Sequence, residues 1–433
     1  MMRNVGRSAA ATTVSCALIL GCTHLSNGDR RASERDGTAL SPADTVVATA
    51  GAEGGATSID LTELDDGYWE ISSGLGDSGN AVAVDASGNF YVAGDTQGVL
   101  DGQNFGESDG FLRKYDASGR VQWTRQVGST GSDGISAVAV DGEGNVYIAG
   151  SLGGPYICGP VYGGWDAFFS KYDKDGSLQW SQVISSLSAD FAQAIAIAPD
   201  GNVYVAGYTS GELVPGGKLG LNDAFLFKAD KYGTEIWVRQ FGKDYASAAS
   251  SLALDTDAHV YVGGWSLPDG FVRKFTPDGL EEWTEMLPEA MVWGVALDGS
   301  ALYASGSIQT DGDENTYSDE NVFIRKYAAD RSITWTQQFG APSFPQYNRG
   351  VALAPNGDIV LANWSYPDPA NQVGLESFVL RYDSAGALLD VHRSQTIEND
   401  TATGITVDNA GNIYLVGNAQ SSGSAFVQRI APR

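Results

Sequence analysis

Ala81-Val82-Ala83-Val84-Asp85-Ala86-Ser87-Gly88-Asn89-Phe90-Tyr91-Val92-Ala93-Gly94 is the stretch on which the fold turns. Two short apolar runs flank a turn in which Asp and Asn bond the local backbone and Gly supplies positive φ, so the segment reads as a β-hairpin. The pattern recurs along the chain. Its aromatic residue returns at Tyr91, Tyr147, Tyr204, Tyr261, Tyr303 and Tyr414, with Val360 in the sixth copy. Its closing residue returns at Gly94, Gly150, Gly207, Gly264, Gly306 and Gly417, with Asn363 in the sixth copy. Asn is the usual non-glycine residue where φ is positive, so a positive φ is expected at this position.

Each hairpin is followed by Phe-x-x-Lys/Arg: Phe111/Lys114, Phe168/Lys171, Phe225/Lys228, Phe271/Lys274, Phe323/Lys326, Phe378/Arg381 and Phe426/Arg429. The residue after each Phe is apolar, so this strand is apolar on both faces and must be covered on both. A turn and a last strand follow, carrying Trp123, Trp180, Trp237, Trp283 and Trp335, with Asp390 in the sixth copy. Four strands in each of seven copies define an all-β, seven-bladed β-propeller of antiparallel blades. The seventh copy stops after three strands. Gly67-Tyr68-Trp69-Glu70-Ile71 supplies the missing one, so the N-terminal strand is expected to close the ring in the last blade and remove its open edges.

The segments Gly144-Asn145-Val146-Tyr147-Ile148-Ala149-Gly150 and Asp166-Ala167-Phe168-Phe169-Ser170-Lys171-Tyr172 resemble the SBBP-type β-propeller repeat of bacterial surface proteins, a relative of NHL repeats. The resemblance covers about residues 67–433 and implies an extracytoplasmic binding or scaffold role without a shared catalytic set. Asp-x-x-Gly-x-x-x-Trp, as in Asp173 to Trp180, is similar to the tryptophan-docking motif of quinoprotein-like propellers, one lipoprotein of which serves outer-membrane protein assembly. Those propellers usually have eight blades and lack the Tyr-x-Ala-Gly strand end.

Arg3 and Arg7 precede the apolar run Ala9 to Leu20, which is too short to span a bilayer and suits a signal peptide. Ile19-Leu20-Gly21-Cys22 resembles the lipobox of bacterial lipoproteins. That resemblance implies cleavage before Cys22 and lipid on its thiol, and Thr23 in the next place resembles the class sorted to the outer membrane. Residues 1–21 are thus expected to be a signal peptide, 22–62 a flexible tether and 63–433 the propeller. Cys16 leaves with the signal and Cys22 carries lipid, so Cys158 has no partner for a disulfide.

The chain has 433 residues, 55 of them Gly, and a net charge of −27. Nucleic acid is excluded as a partner, because a phosphate backbone needs a basic surface. Solubility is the plain reading of the acidity. The Asp-x-x-Gly-Asn turns read as structural rather than as calcium sites, since Ala198 and Ala354 stand at the first position in two copies. Asp311-Gly312-Asp313-Glu314-Asn315 begins like an EF-hand but has Thr316 and Val322 where Gly and Glu are required. The recurrent Lys reads as a contact between blades, and the recurrent Trp as core. His24, His259 and His392 share no motif, so neither a metal nor a cofactor nor a catalytic residue is assigned.

The connections 97–108, 152–165, 209–222, 308–320 and 365–375 are long and variable, and they should emerge on one face of the disc. Function on rigid scaffolds concentrates in such loops. They carry aromatics outside the repeat, namely Phe105, Tyr156, Tyr162, Trp165, Trp265, Trp364 and Tyr366. Trp165, Trp265, Trp364 and Tyr366 are the candidate ligand-binding residues. The function expected is that of a monomeric, envelope-anchored lipoprotein, non-catalytic, binding a protein or glycan. The alternatives are an envelope enzyme with a loop-built, metal-assisted site, or a quinoprotein-like outer-membrane assembly factor.

Overall fold

The structure is a computed structural model that describes residues 67–154, 164–243, 245–309, 320–340, 345–365, 375–394 and 399–432. The proposed signal peptide, Cys22, the tether, Tyr156, Cys158, Tyr162, the loop from Asp311 to Asn315, and Tyr366 lie outside the described residues. The described chain forms 28 strands in seven four-stranded antiparallel sheets, and consecutive strands are neighbours within each sheet. The first blade is built from Asp77–Val84, Phe90–Thr96, Asp109–Tyr115 and Val121–Val127, running from the inner to the outer strand. Gly67–Ile71 joins the last blade as its outer strand, with Trp69 opposite Val427 and Ile71 opposite Ala425. The ring therefore closes as the sequence indicates.

The core lies between blades. Val82, Phe90, Val92 and Phe111 of the first blade pack on Tyr414, Val416 and Val427 of the last. The middle strands are buried on both faces, which is what their apolar runs require. Each buried side chain is thus held by residues distant in sequence, and the ring stabilises itself as one unit.

The closing glycines correct one expectation: none of Gly94, Gly150, Gly207, Gly264, Gly306 and Gly417 has positive φ. Each faces the inner strand just before a bulge, as at Gly79/Ala81 and Ala192/Ala194. The bulge drives a carbonyl oxygen inward, that of Ser78 onto Gly94 and that of Phe191 onto Gly207, so that a Cβ would collide with it. Close backbone approach, rather than φ, excludes a side chain. In the sixth blade Asn363 is fully buried, accepting from Asn348 Nδ2 (3.1 Å) and donating to the Leu361 carbonyl (3.0 Å).

The repeated Trp and Lys hold neighbouring blades together at the short-turn face. Trp123 Nε1 and Lys114 Nζ both donate to the Lys174 carbonyl in the next blade (3.2 and 3.0 Å). Trp237 with Lys228 uses Pro277 in the same way, and Trp335 with Lys326 uses Ser384. Each Lys also lies over the repeated Tyr, Lys114 at 5.2 Å from the Tyr91 ring. The Lys contact is therefore between blades, but to a carbonyl and a ring. The aspartates that begin the same strands lie at the opposite end.

Four of the five indoles rest on a turn glycine with positive φ: Gly176, Gly233, Gly279 and Gly386 beneath Trp123, Trp180, Trp237 and Trp335. Trp69 reaches Gly119 in this way across the closing seam. Its position is two residues along from that of the other Trp, because Gly67 is the residue paired with Arg429. The ring of Trp69 folds back over the space that Gly67 leaves.

The sixth blade has Asp390 instead of Trp for a physical reason. The last blade takes its outer strand from the N-terminus, so no turn follows its third strand, and an indole there has nothing to rest on. Arg381, paired across the sheet with Asp390, lies 3.8 Å from the Asp358 carboxylate of its own blade.

Candidate functional site: the loop face and its aromatic collar

Strand pairing places every long connection and every blade-to-blade crossing at one end of the sheets, for Asp77, Thr96 and Asp109 share a level there. The aspartates at this rim are structural caps. Asp133 accepts from Ser129 Oγ (2.7 Å) and Gly153 N (2.8 Å), and Asp190 from Ser186 N (2.6 Å) and Oγ (3.1 Å). Asp109 and Asp223 take Gln126 and Gln240 Nε2 at 2.7 and 2.8 Å. A Ser four residues before the strand thus ties the crossing loop to the blade.

Burial raises the Asp190 carboxyl to about 6, while hydrogen bonds from Thr209 and Ser186 pull the other way. A folded-state pKa above the unfolded value means that the native state binds the proton more tightly. This group's contribution to stability is therefore greatest below pH ~4 and falls as pH rises to about 6. Urea titrations across that window should show this fall in the parent protein and its loss in Asp190→Asn.

One level below the rim, the second residue of each inner strand faces a residue of the second strand. These pairs form a collar: Ser78/Asp95, Gly134/Ser151, Phe191/Tyr208, Ala248/Trp265, Met291/Ser307, Tyr347/Trp364 and Thr401/Asn418. Blades three, four and six make it aromatic; blades seven, one and two make it polar. Trp165 stacks on Phe191 (5.6 Å between centroids, 28°), and Phe191 on Tyr208 (4.9 Å, 22°). Tyr347 stacks on Trp364 at 4.4 Å. Of the candidates, Trp165, Trp265 and Trp364 are all half-buried at this end, in separate parts of the ring.

Trp265 and Trp364, expected in the long connections, lie instead within the strands Val260–Ser266 and Ile359–Ser365, as Phe191, Tyr208 and Tyr347, which escaped the sequence reading, do within theirs. Phe191 and Tyr347 do interrupt the series Ser78, Gly134, Ala248, Met291, Thr401 at the second strand position, and that was the available signal. The bulged residues that follow, Trp293 and Arg349, stack across neighbouring blades at 5.2 Å.

Both faces of the disc are acidic. The described short turns, residues 85–89 and 116–120 and their equivalents, carry 15 carboxylates against four cations. The connections between strands at the other end carry 11 carboxylates in sequence, Asp101, Glu107, Glu212, Asp244, Glu289, Asp311, Asp313, Glu314, Asp319, Asp368 and Glu398, against Lys218 and Lys243. The described ones also expose Leu75, Val99, Phe105, Leu187, Leu219, Leu221 and Tyr245, with Leu187 79% exposed. The turn carboxylates are engaged locally. Asp85 accepts from Ser87 N (2.9 Å), Asn89 N (3.0 Å) and Asn89 Nδ2 (2.7 Å), and Asp141 and Asp408 repeat the set. Among the described residues no three His, Cys, Asp or Glu are grouped as metal ligands.

A ring of hairpin blades with short turns on one face and longer loops on the other is a β-propeller. The SBBP β-propeller repeat model matches residues 122–151, 179–213 and 397–423. The chain is a β-propeller that carries SBBP-type repeats. It is 27% identical over 223 residues to the regulatory protein FlaEY of Caulobacter vibrioides, covering 46% of this chain and 23% of that one. It is 20% identical over 377 residues to an uncharacterized WD repeat-containing protein of Acanthamoeba polyphaga mimivirus, covering 71% and 26%. The chain thus spans about a quarter of the length of the curated relatives it matches. Among solved structures, the Neurospora crassa Pan2 WD40 domain superposes with a TM-score of 0.52 at 10% identity, covering 82% of this chain and 90% of that one.

Proposed function

We propose that this chain is a non-catalytic binding scaffold, anchored in the bacterial envelope through lipid on Cys22, that presents its loop face to a protein partner. The observation that carries the reading is the set of large apolar side chains exposed on the loops of the first four blades: Leu75, Val99, Phe105, Leu187, Leu219, Leu221 and Tyr245. Exposed apolar clusters of this kind mark interaction sites, and aromatic residues anchor them.

The entry of the chain supports the same orientation. Gly67 pairs with Arg429, whose Nη1 donates to the Ala117 carbonyl of a short turn (3.0 Å), so residues before Gly67 join the disc at the short-turn face. Anionic headgroups repel that face. A tether of residues 22–62 holds the disc clear of the bilayer with the loop face outward. The protein acts as a monomer, exported and held at the outer membrane.

A photo-crosslinking residue at Leu187 or Tyr245 of the full-length protein, in intact cells, should capture one discrete protein, and the same residue at Asp330 should not. Leu221→Asp together with Trp364→Ala should reduce the capture about tenfold or more, as loss of a buried anchor does. Equal capture from both faces, or glycan attachment with no protein product, would sink the protein-scaffold reading. Cys22→Ser should move the protein from the membrane to the soluble fraction, and an unchanged distribution removes the anchor.

A further inference from the structure

Four of the five Trp-bearing outer strands bring their indole N–H to a turn carbonyl of the next blade, at 3.1–3.3 Å. Trp283, between the fourth and fifth blades, has no such bond. The difference traces to one residue. The turn glycines under the other indoles leave so little room that a Cβ would lie 2.8 Å from Trp123 at Gly176 and 2.9 Å from Trp237 at Gly279. In the fifth blade this position is Arg331, held at φ 70° by the same turn, with its N–H bonded to the Ala328 carbonyl (2.9 Å). Its side chain keeps the indole off the turn and lies over it, 5.9 Å from the ring. Lys274, unlike its counterparts, pairs with Glu282 at 2.9 Å.

The junction that fails to close contains a cleft of about 50 Å³ between the two blades. Its walls include Tyr261 and Trp283 on one side and Tyr327 and Arg331 on the other, with Glu285 also lining it. Two of its charged groups lack protein partners. The Tyr327 hydroxyl is buried beside Arg325 of its own strand. Among the described residues, Glu285 makes neither a hydrogen bond nor an ion pair, and Arg331 pairs with no carboxylate. Two opposite charges left unpaired on one cleft offer complementary ends to a bridging group.

We propose that this inter-blade cleft is a binding site for a small zwitterion of the α-amino acid kind. Its carboxylate lies toward the Arg331 guanidinium, its ammonium toward Glu285, and its carbon skeleton against Trp283 and Tyr261. The volume has room for roughly three to five waters, so it admits the smallest members of the class and excludes chains. An ammonium over aromatic faces beside a carboxylate is a favourable placement. The site lies on the acidic turn face and is independent of the loop-face partner.

The test is equilibrium dialysis of the full-length protein against labelled glycine, with methylammonium, acetate and glycerol as competitors at equal millimolar concentration. Glycine should bind saturably, and none of the three competitors should displace it at that concentration. Glu285→Gln and Arg331→Gly should each weaken binding by about tenfold or more, because each removes a hydrogen bond to a charged group. Glu285→Gln keeps shape and leaves the Trp283 position alone, so its loss reads the charge. Arg331→Gly should in addition bring the Trp283 indole N–H onto the Ala329 carbonyl, visible as a downfield-shifted indole resonance. Absence of glycine binding, binding unchanged in both variants, or glycerol binding as tightly as glycine would each overturn the proposal and leave a water-filled cleft.

Discussion

Deletion of Gly67–Ile71 is expected to abolish the monomeric folded state. That strand pairs along its whole length with Ser424–Ile430, and among the described residues no other segment covers that edge. Its removal exposes a row of unpaired backbone groups on an apolar strand, the arrangement that templates edge-to-edge association. It also withdraws Trp69, which contacts Phe90 (5.0 Å) and Tyr115 (6.2 Å) in the first blade and so joins the two ends of the chain. Size-exclusion chromatography should show aggregates or an expanded species in place of a monomer. Trp69→Ala is the milder form of the same change. It keeps the strand and should lower unfolding free energy by about 3–5 kcal/mol, the usual cost of emptying an aromatic site, read from the urea midpoint. A Trp69→Ala midpoint equal to the parent's would mean that the seam is held elsewhere.

Gly207→Ala should be nearly as damaging, although it adds a single methyl group. The added Cβ meets the Phe191 carbonyl oxygen, which the bulge of the inner strand drives onto Gly207. Backbone cannot swing aside as a flexible side chain can, so the two central strands of the third blade must separate. A loss of about 3 kcal/mol or more is expected, at the upper end of overpacking costs. The separation also moves Phe191 and Tyr208 out of register, so partner capture from the loop face should fall in the same variant. Gly216→Ala is the useful control: its Cβ meets nothing within contact distance, and only its positive φ of 73° is strained, at about 1 kcal/mol. Equal midpoints for the two variants would show that the close approach at Gly207 costs no more than ordinary φ strain.

Much of the architecture was legible because a propeller repeats itself. Seven Phe-x-x-Lys/Arg segments set the blade count, and the lone Trp strand at Gly67–Ile71 matched the strand missing from the last copy. Hairpin turns, apolar strands and the long loops are local properties, set by residues within a few positions of each other. The identity of Trp165, Trp265 and Trp364 as aromatics outside the repeat was likewise local.

What those residues touch was not. The collar depends on cross-strand register and on the angular order of the blades, so Phe191 and Tyr347 joined it only once the sheets were formed. The reason for the closing glycines changed from φ to close approach, because the bulge that presses on them lies in another strand. Asp390 stands where five other copies have Trp, and ring closure supplies the reason: the neighbouring blade offers no turn to receive an indole. Arg331 is one letter in a turn, and its consequence is a cleft because Trp283 of the preceding blade would otherwise occupy that space. The sequence by itself determined strands, turns, blade number and closure, since these follow from short-range chemistry repeated seven times. Only the tertiary structure decided the collar and the junction that stays open between the fourth and fifth blades, since each is a contact between strands or blades.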